Sequence, residues 1–263
     1  MDNNEIKRAN QKALPKFLLI IIISAVVGGV IGFNSAKYGL NNFTDDIEST
    51  AAFFGMNIAP WLLLALAVIV PVVSVSLYEK AKRLLSGWNG ENEAVSDAVD
   101  AKLSTVIWLM NTALIISYFL ISASYSGGFS VFDEGRGLLP FCVAIIAFLG
   151  VMVETIVIQQ KCVDATKKLN PEKTASIYDM KFQKKWLESC DEAEKIMIGK
   201  CAYKAYAAVN TTCAIIAPAL AICALIFGTG FLASFVVCVI WIVCTSVYLK
   251  ESRKYSVVGN KLL

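Results

Sequence analysis

The chain contains no histidine and few charged residues. Only 17% of its 263 residues are Asp, Glu, Lys or Arg, whereas soluble domains carry about 25%. Without histidine, the Ser-His-Asp and Cys-His catalytic sets and the His-Glu-x-x-His zinc motif are excluded. The chain also lacks a Gly-x-Ser-x-Gly elbow and a phosphate-binding loop. The sequence therefore predicts a protein that is not an enzyme and that carries no cofactor.

The eight cysteines lack the spacing of a metal site or a disulfide framework. No Cys-x-x-Cys pair occurs, and no cysteine falls in a segment that we predict to be external. We expect them to be small packing residues and free thiols. The lysines and arginines form no single basic face interleaved with aromatic residues, so the sequence also predicts no binding of nucleic acid.

Long apolar runs are what the chain has in abundance. It is 57% hydrophobic, with a mean hydropathy of +0.61. The stretch from Phe17 to Phe33 carries no charge and would form a helix of roughly 26 Å, close to the ~30 Å hydrocarbon thickness of a bilayer. Five further runs resemble it, so the lipid bilayer is the expected surrounding. The predicted spans are 15–36, 57–78, 103–125, 138–160, 206–227 and 231–249.

The basic residues are sorted by side once six spans are drawn. All of the 24 lysines and arginines except Lys37 and Arg136 then fall in the N-terminal tail, the 79–102 loop, the 161–205 loop or the C-terminal tail. Positive residues stay on the cytoplasmic side of a membrane. We therefore expect both termini and both long loops to be cytoplasmic.

The predicted fold class is all-α: a polytopic membrane helix bundle with six transmembrane helices in a single domain, 1–263. Charged helical extensions are expected in the cytoplasmic loops 79–102 and 161–205. Short matches, such as Asn111-Thr112-Ala113 with Asn210-Thr211-Thr212, suggest three pseudo-repeated hairpins. Pro60 and Pro140 are expected in the first turns of spans 2 and 4, where proline is tolerated.

Three polar residues inside the spans form a candidate intramembrane polar site: Glu154, Asn111 and Asn210. Glu154 is the one acidic residue within any predicted span. It is either a carboxyl bonded to a neighbouring helix, a proton- or cation-coupling site, or a lipid-facing glutamate. A mid-membrane carboxamide needs a partner, so we expect Asn111 in span 3 to bond to span 5, near Asn210.

The cytoplasmic segment 177–205 has a helical apolar pattern. Asn170 and Pro171 should end the preceding helix, and they could also start the next one. Apolar residues then recur at steps of four and three from Phe182 to Cys201, which predicts one amphipathic helix. This helix packs on other cytoplasmic helices, lies on the lipid surface, or binds a protein partner.

The basic N-terminal tail leads into Ile-Ile-Ser-Ala-Val-Val-Gly-Gly-Val-Ile-Gly-Phe, at 22–33. Together with the three-hairpin layout and the charged helices before the spans, this resembles an uncharacterised bacterial family of short six-span membrane proteins, a domain of unknown function. The resemblance covers nearly the whole chain. It implies a bacterial cytoplasmic membrane, and it carries over no functional residue.

Two classes of function fit this sequence. The first is a non-enzymatic accessory, sensor or immunity-type membrane protein, which needs only a stable bundle and a cytoplasmic surface. The second is a transporter or ABC permease subunit with a pathway through spans 3 to 5. Pro71 and Pro218, inside spans 2 and 5, are of the kind that transporters use.

Overall fold

The computed structural model describes residues 49–90, 92–125, 138–173, 175–227 and 229–256, with isolated positions between 15 and 33. These residues form helices and turns, and the described part of the chain contains no strand. The helices are α1 (Ala59–Ser86), α2 (Glu93–Ser124), α3 (Leu138–Leu169), α4 (Phe182–Glu188), α5 (Glu192–Phe227) and α6 (Leu232–Ser256).

Five helices are long and apolar enough to cross a membrane: Ser49–Ser86, Glu93–Ser124, Leu138–Leu169, Glu192–Ala224 and Leu232–Arg253. They correspond to the predicted spans 2 to 6, and they identify the chain as an all-helical membrane protein. The first predicted span, 15–36, lies largely outside the described residues, although the described positions within it are helical. The sixth crossing therefore stays a prediction.

The charged helical extensions expected beside the spans are present. The helix of span 2 continues to Ser86, that of span 3 begins at Glu93, and that of span 4 continues to Leu169. Asn92 caps α2, because its side chain accepts a hydrogen bond from the Val95 amide at 3.3 Å.

The beginning of span 2 differs from the prediction. The chain is already helical at Ser49, and a π-helical turn, Phe54–Ile58, precedes α1. Pro60 follows this turn and has no amide N–H to donate to the preceding turn. A wider turn before the proline accommodates the missing bond. Pro60 is the second residue of α1 and so lies in its first turn as predicted, although the chain is already helical before it.

The chain divides into two compact units, one formed by 47–201 and the other by 1–46 with 202–263. The single domain over 1–263 and its three pseudo-repeated hairpins stay predictions.

In the first unit, α1, α2 and α3 pack against one another. Two clusters of buried apolar side chains hold this unit together. One contains Ala59, Leu63, Leu120, Ile121, Ala144 and Ala147; the other contains Ala81, Val99, Leu103, Val106, Met110, Ile158, Cys162, Ala165 and Leu169.

In the second unit, α5 and α6 are neighbours. The rings of Tyr206 and Tyr248 stack with centroids 4.1 Å apart, and the Trp241 indole N–H donates to Asn210 Oδ1 at 2.6 Å. From Tyr206 to Asn210 the residue numbers rise along α5, whereas those of their partners on α6 fall from Tyr248 to Trp241. The two helices therefore run antiparallel, as the three-residue gap between the predicted spans 206–227 and 231–249 requires.

Candidate functional site

The predicted bond between Asn111 and span 5 near Asn210 is wrong, because each amide bonds to a different helix. Asn111 Oδ1 accepts a hydrogen bond from Gln159 Nε2 on α3 at 2.7 Å. Asn210 Oδ1 accepts from Trp241, and from the Thr245 hydroxyl at 3.5 Å. Both carboxamides are thus paired with an adjacent helix of their own unit, as polar groups in a membrane require. The sequence predicts that Asn111 needs a hydrogen-bond partner, but the partner in the structure is Gln159.

Three polar side chains, Ser74 of α1 and Glu154 and Thr155 of α3, lie among the apolar side chains of the first unit, and we call them the polar layer. The side chain of Glu154 is partly buried, and the side chains of Ser74 and Thr155 are buried. Ala67 and Phe148 belong to one cluster and Leu77 and Ile158 to the other. Ser74 lies between Val70 and Leu77 of the second cluster on α1, and Glu154 lies between the two clusters on α3, so the two residues are at a similar height.

Three oxygen atoms of this layer are buried without a hydrogen-bond partner among the residues that the structure describes: Ser74 Oγ, Glu154 Oε2 and Thr155 Oγ1. Buried polar atoms are normally bonded, so such a group is a candidate for binding a small polar species. Glu154 lies six residues after Phe148, about 120° around α3 from it, and Phe148 contacts Tyr118 of α2 with ring centroids 5.2 Å apart. Glu154 is therefore not on the edge of α3 that contacts α2 through Phe148.

A second candidate site lies outside the spans and centres on Lys173, whose side chain is 2% exposed. Its ammonium pairs with Glu194 and donates to Cys190 Sγ at 3.3 Å and to the Ser189 carbonyl at 3.4 Å. It also lies 5.6 Å from the centre of the Trp186 ring. Burial lowers the pKa of Lys173, but the bonds to Glu194 and Cys190 outweigh this effect and raise it above its ordinary value. Lys173 therefore stays charged and fastens the 170–181 loop to the first turn of α5.

The predicted single helix from Phe182 to Cys201 is broken between α4 and α5, and an N-terminal cap explains the break. The Glu194 amide donates to Asp191 Oδ1 at 2.7 Å, and the Asp191 amide donates back to Glu194 Oε2 at 3.0 Å. This is a capping box, which begins a new helix. The spacing Asp-x-x-Glu was visible in the sequence, but the apolar period across it hid the signal.

The predicted helix start at Asn170 and Pro171 is also absent, because the loop makes other bonds. Gln160 Oε1 on α3 accepts from the Ser176 hydroxyl at 3.0 Å and from the Ile177 amide at 2.8 Å. Its Nε2 donates to Asp164 at 2.8 Å. These bonds and those of Lys173 hold Lys173 and residues 175–177 outside any helix. A further ion pair joins Asp179 to Lys185, and its hydrogen bond lowers the pKa of the Asp179 carboxyl.

The residues that the structure describes contain no group of three or more His, Cys, Asp and Glu side chains placed to hold a metal ion. The eight cysteines are free thiols. Among the described residues, the candidate binding sites are the polar layer, the surroundings of Lys173 and the exposed surfaces beside Lys173.

Comparison with known proteins gives a family. A family model described as "Protein of unknown function (DUF3169)" matches residues 10–252. No curated protein and no solved structure matches the chain. The match covers most of the sequence and confirms the resemblance to an uncharacterised family. The chain thus belongs to the DUF3169 family of proteins of unknown function.

Proposed function

We propose that the protein is a non-enzymatic accessory, sensor or immunity-type protein of the bacterial cytoplasmic membrane. In this proposal both termini are cytoplasmic, and the segment 177–205 carries the surface that a protein partner binds. The partner surface is the first part of α5, where it extends beyond the predicted span.

One observation carries this proposal: large apolar side chains are exposed near the start of α5, whose first turn is fixed by the Asp191–Glu194 capping box. Ile196 and Met197 are each 58% exposed, and Lys200 is exposed between them on the helix surface. At 3.6 residues per turn, these three side chains fall within about 100° of the circumference. Exposed apolar groups outside the lipid mark interaction sites. The fitting partner is an amphipathic segment with apolar residues and a carboxylate opposite Lys200.

Site-specific photo-crosslinking in native membranes tests the proposal. A benzophenone amino acid replacing Met197 should yield one defined protein adduct. The charge reversal Lys200→Glu should weaken that adduct roughly tenfold, because it opposes the partner's carboxylate. The matched control is the same benzophenone at Lys195, about 160° around the helix from Met197. Equal adducts at both positions, or adducts with lipid alone, would contradict a specific protein partner.

A transporter is the second candidate function, and the three unpartnered oxygens of the polar layer favour it. In this proposal Glu154 binds the coupling proton or cation between α1 and α3, with Ser74 and Thr155 completing its surroundings. Carboxylates inside membranes commonly form such relays.

Proton flux measures this second candidate directly. The assay uses liposomes that contain the full chain and the pH-sensitive dye pyranine. Glu154→Gln should lower the rate of proton entry at least tenfold, because a carboxamide does not take up and release a proton as a carboxylate does. The control is Glu79→Gln, which changes a half-exposed carboxylate at the end of α1. If both variants conduct protons like the unaltered protein, Glu154 has no coupling role.

A further inference from the structure

The segment from Ile177 to Glu188, which we call the interfacial segment, lies beside the middle of α2 and the last third of α3. Gln160 fastens its first residue through the Ile177 amide. Ile177, Met180, Phe182 and Gln183 of the segment then line a groove of about 340 Å³ together with four residues of the two helices. The helix residues of this groove are Ile107, Asn111, Gln159 and Val163.

The groove places the interfacial segment at the predicted edge of the membrane. The hydrocarbon-spanning part of α2 is predicted to begin at Leu103, and that of α3 to end at Gln160. Ile107 and Asn111 lie about 6 and 12 Å further in, at 1.5 Å per residue. On α3, in contrast, Gln159 lies one residue inside the predicted end of the span and Val163 three residues beyond it, so the groove extends from the predicted headgroup level beside α3 into the acyl region beside α2.

The side chains of the interfacial segment suit that level. Met180 is fully exposed, Tyr178 is 68% exposed and Leu187 is 44% exposed. The rings of Phe182 and Trp186 contact each other with centroids 5.6 Å apart. Tyr and Trp side chains are enriched where membrane and water meet, because their rings are apolar and their N–H or O–H groups are polar.

The charges of the segment complement an anionic headgroup. Lys181 is exposed, and Lys184, with a side chain 75% exposed, has only a loose ion pair with Glu188 at 3.7 Å. Lys185, in contrast, is held by Asp179. Two ammonium groups can therefore reach phosphates, while the apolar side chains beside them reach the acyl region.

We propose that the interfacial segment binds an anionic phospholipid of the leaflet on its own side, which the charge distribution predicts to be the cytoplasmic one. Lys181 and Lys184 bind the phosphate. Met180 and Leu187 enter the acyl region, and the amides of Gln159 and Gln183 meet the glycerol level of the lipid. This surface is separate from the protein-partner surface on α5 and does not depend on it.

Photo-crosslinking in nanodiscs identifies what covers the segment. With the full chain in nanodiscs of phosphatidylcholine and phosphatidylglycerol, a benzophenone at Met180 should add the mass of one phospholipid. The same group at Glu192, whose side chain is 88% exposed at the start of α5, should add none. Met180 is fully exposed, so the replacement leaves packing intact. Equal lipid adducts at both positions would overturn the proposal.

Lipid retention in native mass spectrometry tests the headgroup preference. The double variant Lys181→Gln, Lys184→Gln should lower retention of phosphatidylglycerol about tenfold relative to phosphatidylcholine, because two cationic contacts are removed. The control is Lys195→Gln, which removes a charge outside the segment. An unchanged retention ratio in the double variant, or benzophenone adducts at Met180 to a protein from native membranes in place of lipid, would also overturn the proposal.

Discussion

Replacing Glu194 with alanine should destabilise the loop around Lys173 by about 3 kcal/mol. The substitution leaves the Lys173 ammonium buried, with its side chain 2% exposed and its countercharge removed, and an uncompensated buried charge costs about 3–5 kcal/mol. It also removes the acceptor of the Asp191 amide in the capping box. We take the lower end of the range because Glu194 itself is one-third exposed, with 32% of its side chain accessible. Amide hydrogen exchange across 173–190 should accelerate about 100-fold.

Two further variants isolate the buried charge as the cause. Glu192→Ala removes an ion pair with Lys195 on the same turn, but Glu192 is 88% exposed, so the change should stay below about 0.5 kcal/mol. Adding Lys173→Met to Glu194→Ala should restore part of the stability, since no unpaired charge then remains buried. If Glu194→Ala exchanges no faster than Glu192→Ala, the Lys173 ion pair does not hold the loop.

Replacing Gln160 with leucine should weaken the attachment of the loop to α3 by about 2 kcal/mol. Gln160 is 8% exposed, and its carbonyl accepts from both the Ser176 hydroxyl and the Ile177 amide. Leucine has a similar size but no acceptor, and a buried donor without a partner costs about 1–3 kcal/mol. The Ile177 amide should therefore exchange about 30-fold faster.

The same change at Gln183 serves as the control for Gln160. Gln183 is exposed on α4, so Gln183→Leu should change the exchange rate of Ile177 less than twofold. A Gln160→Leu protein in which the Ile177 amide stays fully protected would mean that other contacts fix the loop.

The sequence predicts the helices well, because lipid imposes a strict length and composition on any segment that crosses it. Apolar runs predict α1, α2, α3, α5 and α6, and Asn170-Pro171 predicts the end of α3. These features depend on local residues: apolar runs and proline. The irregular beginning of span 2 was missed because a proline can be accommodated by a π-helical turn as well as by a helix start.

The pairing of polar groups was not predictable in the same way. Apolar helices of similar composition do not encode which neighbour they contact, so the choice of Gln159 for Asn111 and Trp241 for Asn210 could not be read from spacing. The burial of Lys173 depends on Glu194, which is distant in sequence. Only the capping box at Asp191 and Glu194 left a local sequence signal.

We propose that the chain crosses the membrane six times with both termini in the cytoplasm. Labelling with a membrane-impermeant maleimide in intact cells tests it, using cysteine placed singly at Asn4, Asp45, Glu93, Asp133 and Glu192. We expect labelling at Asp45 and Asp133 in intact cells, and at Asn4, Glu93 and Glu192 only after the membrane is permeabilised. Labelling of Asn4 in intact cells would show that the first apolar segment does not cross and that the protein has five spans. Labelling of Glu93 or Glu192 in intact cells would contradict the orientation itself.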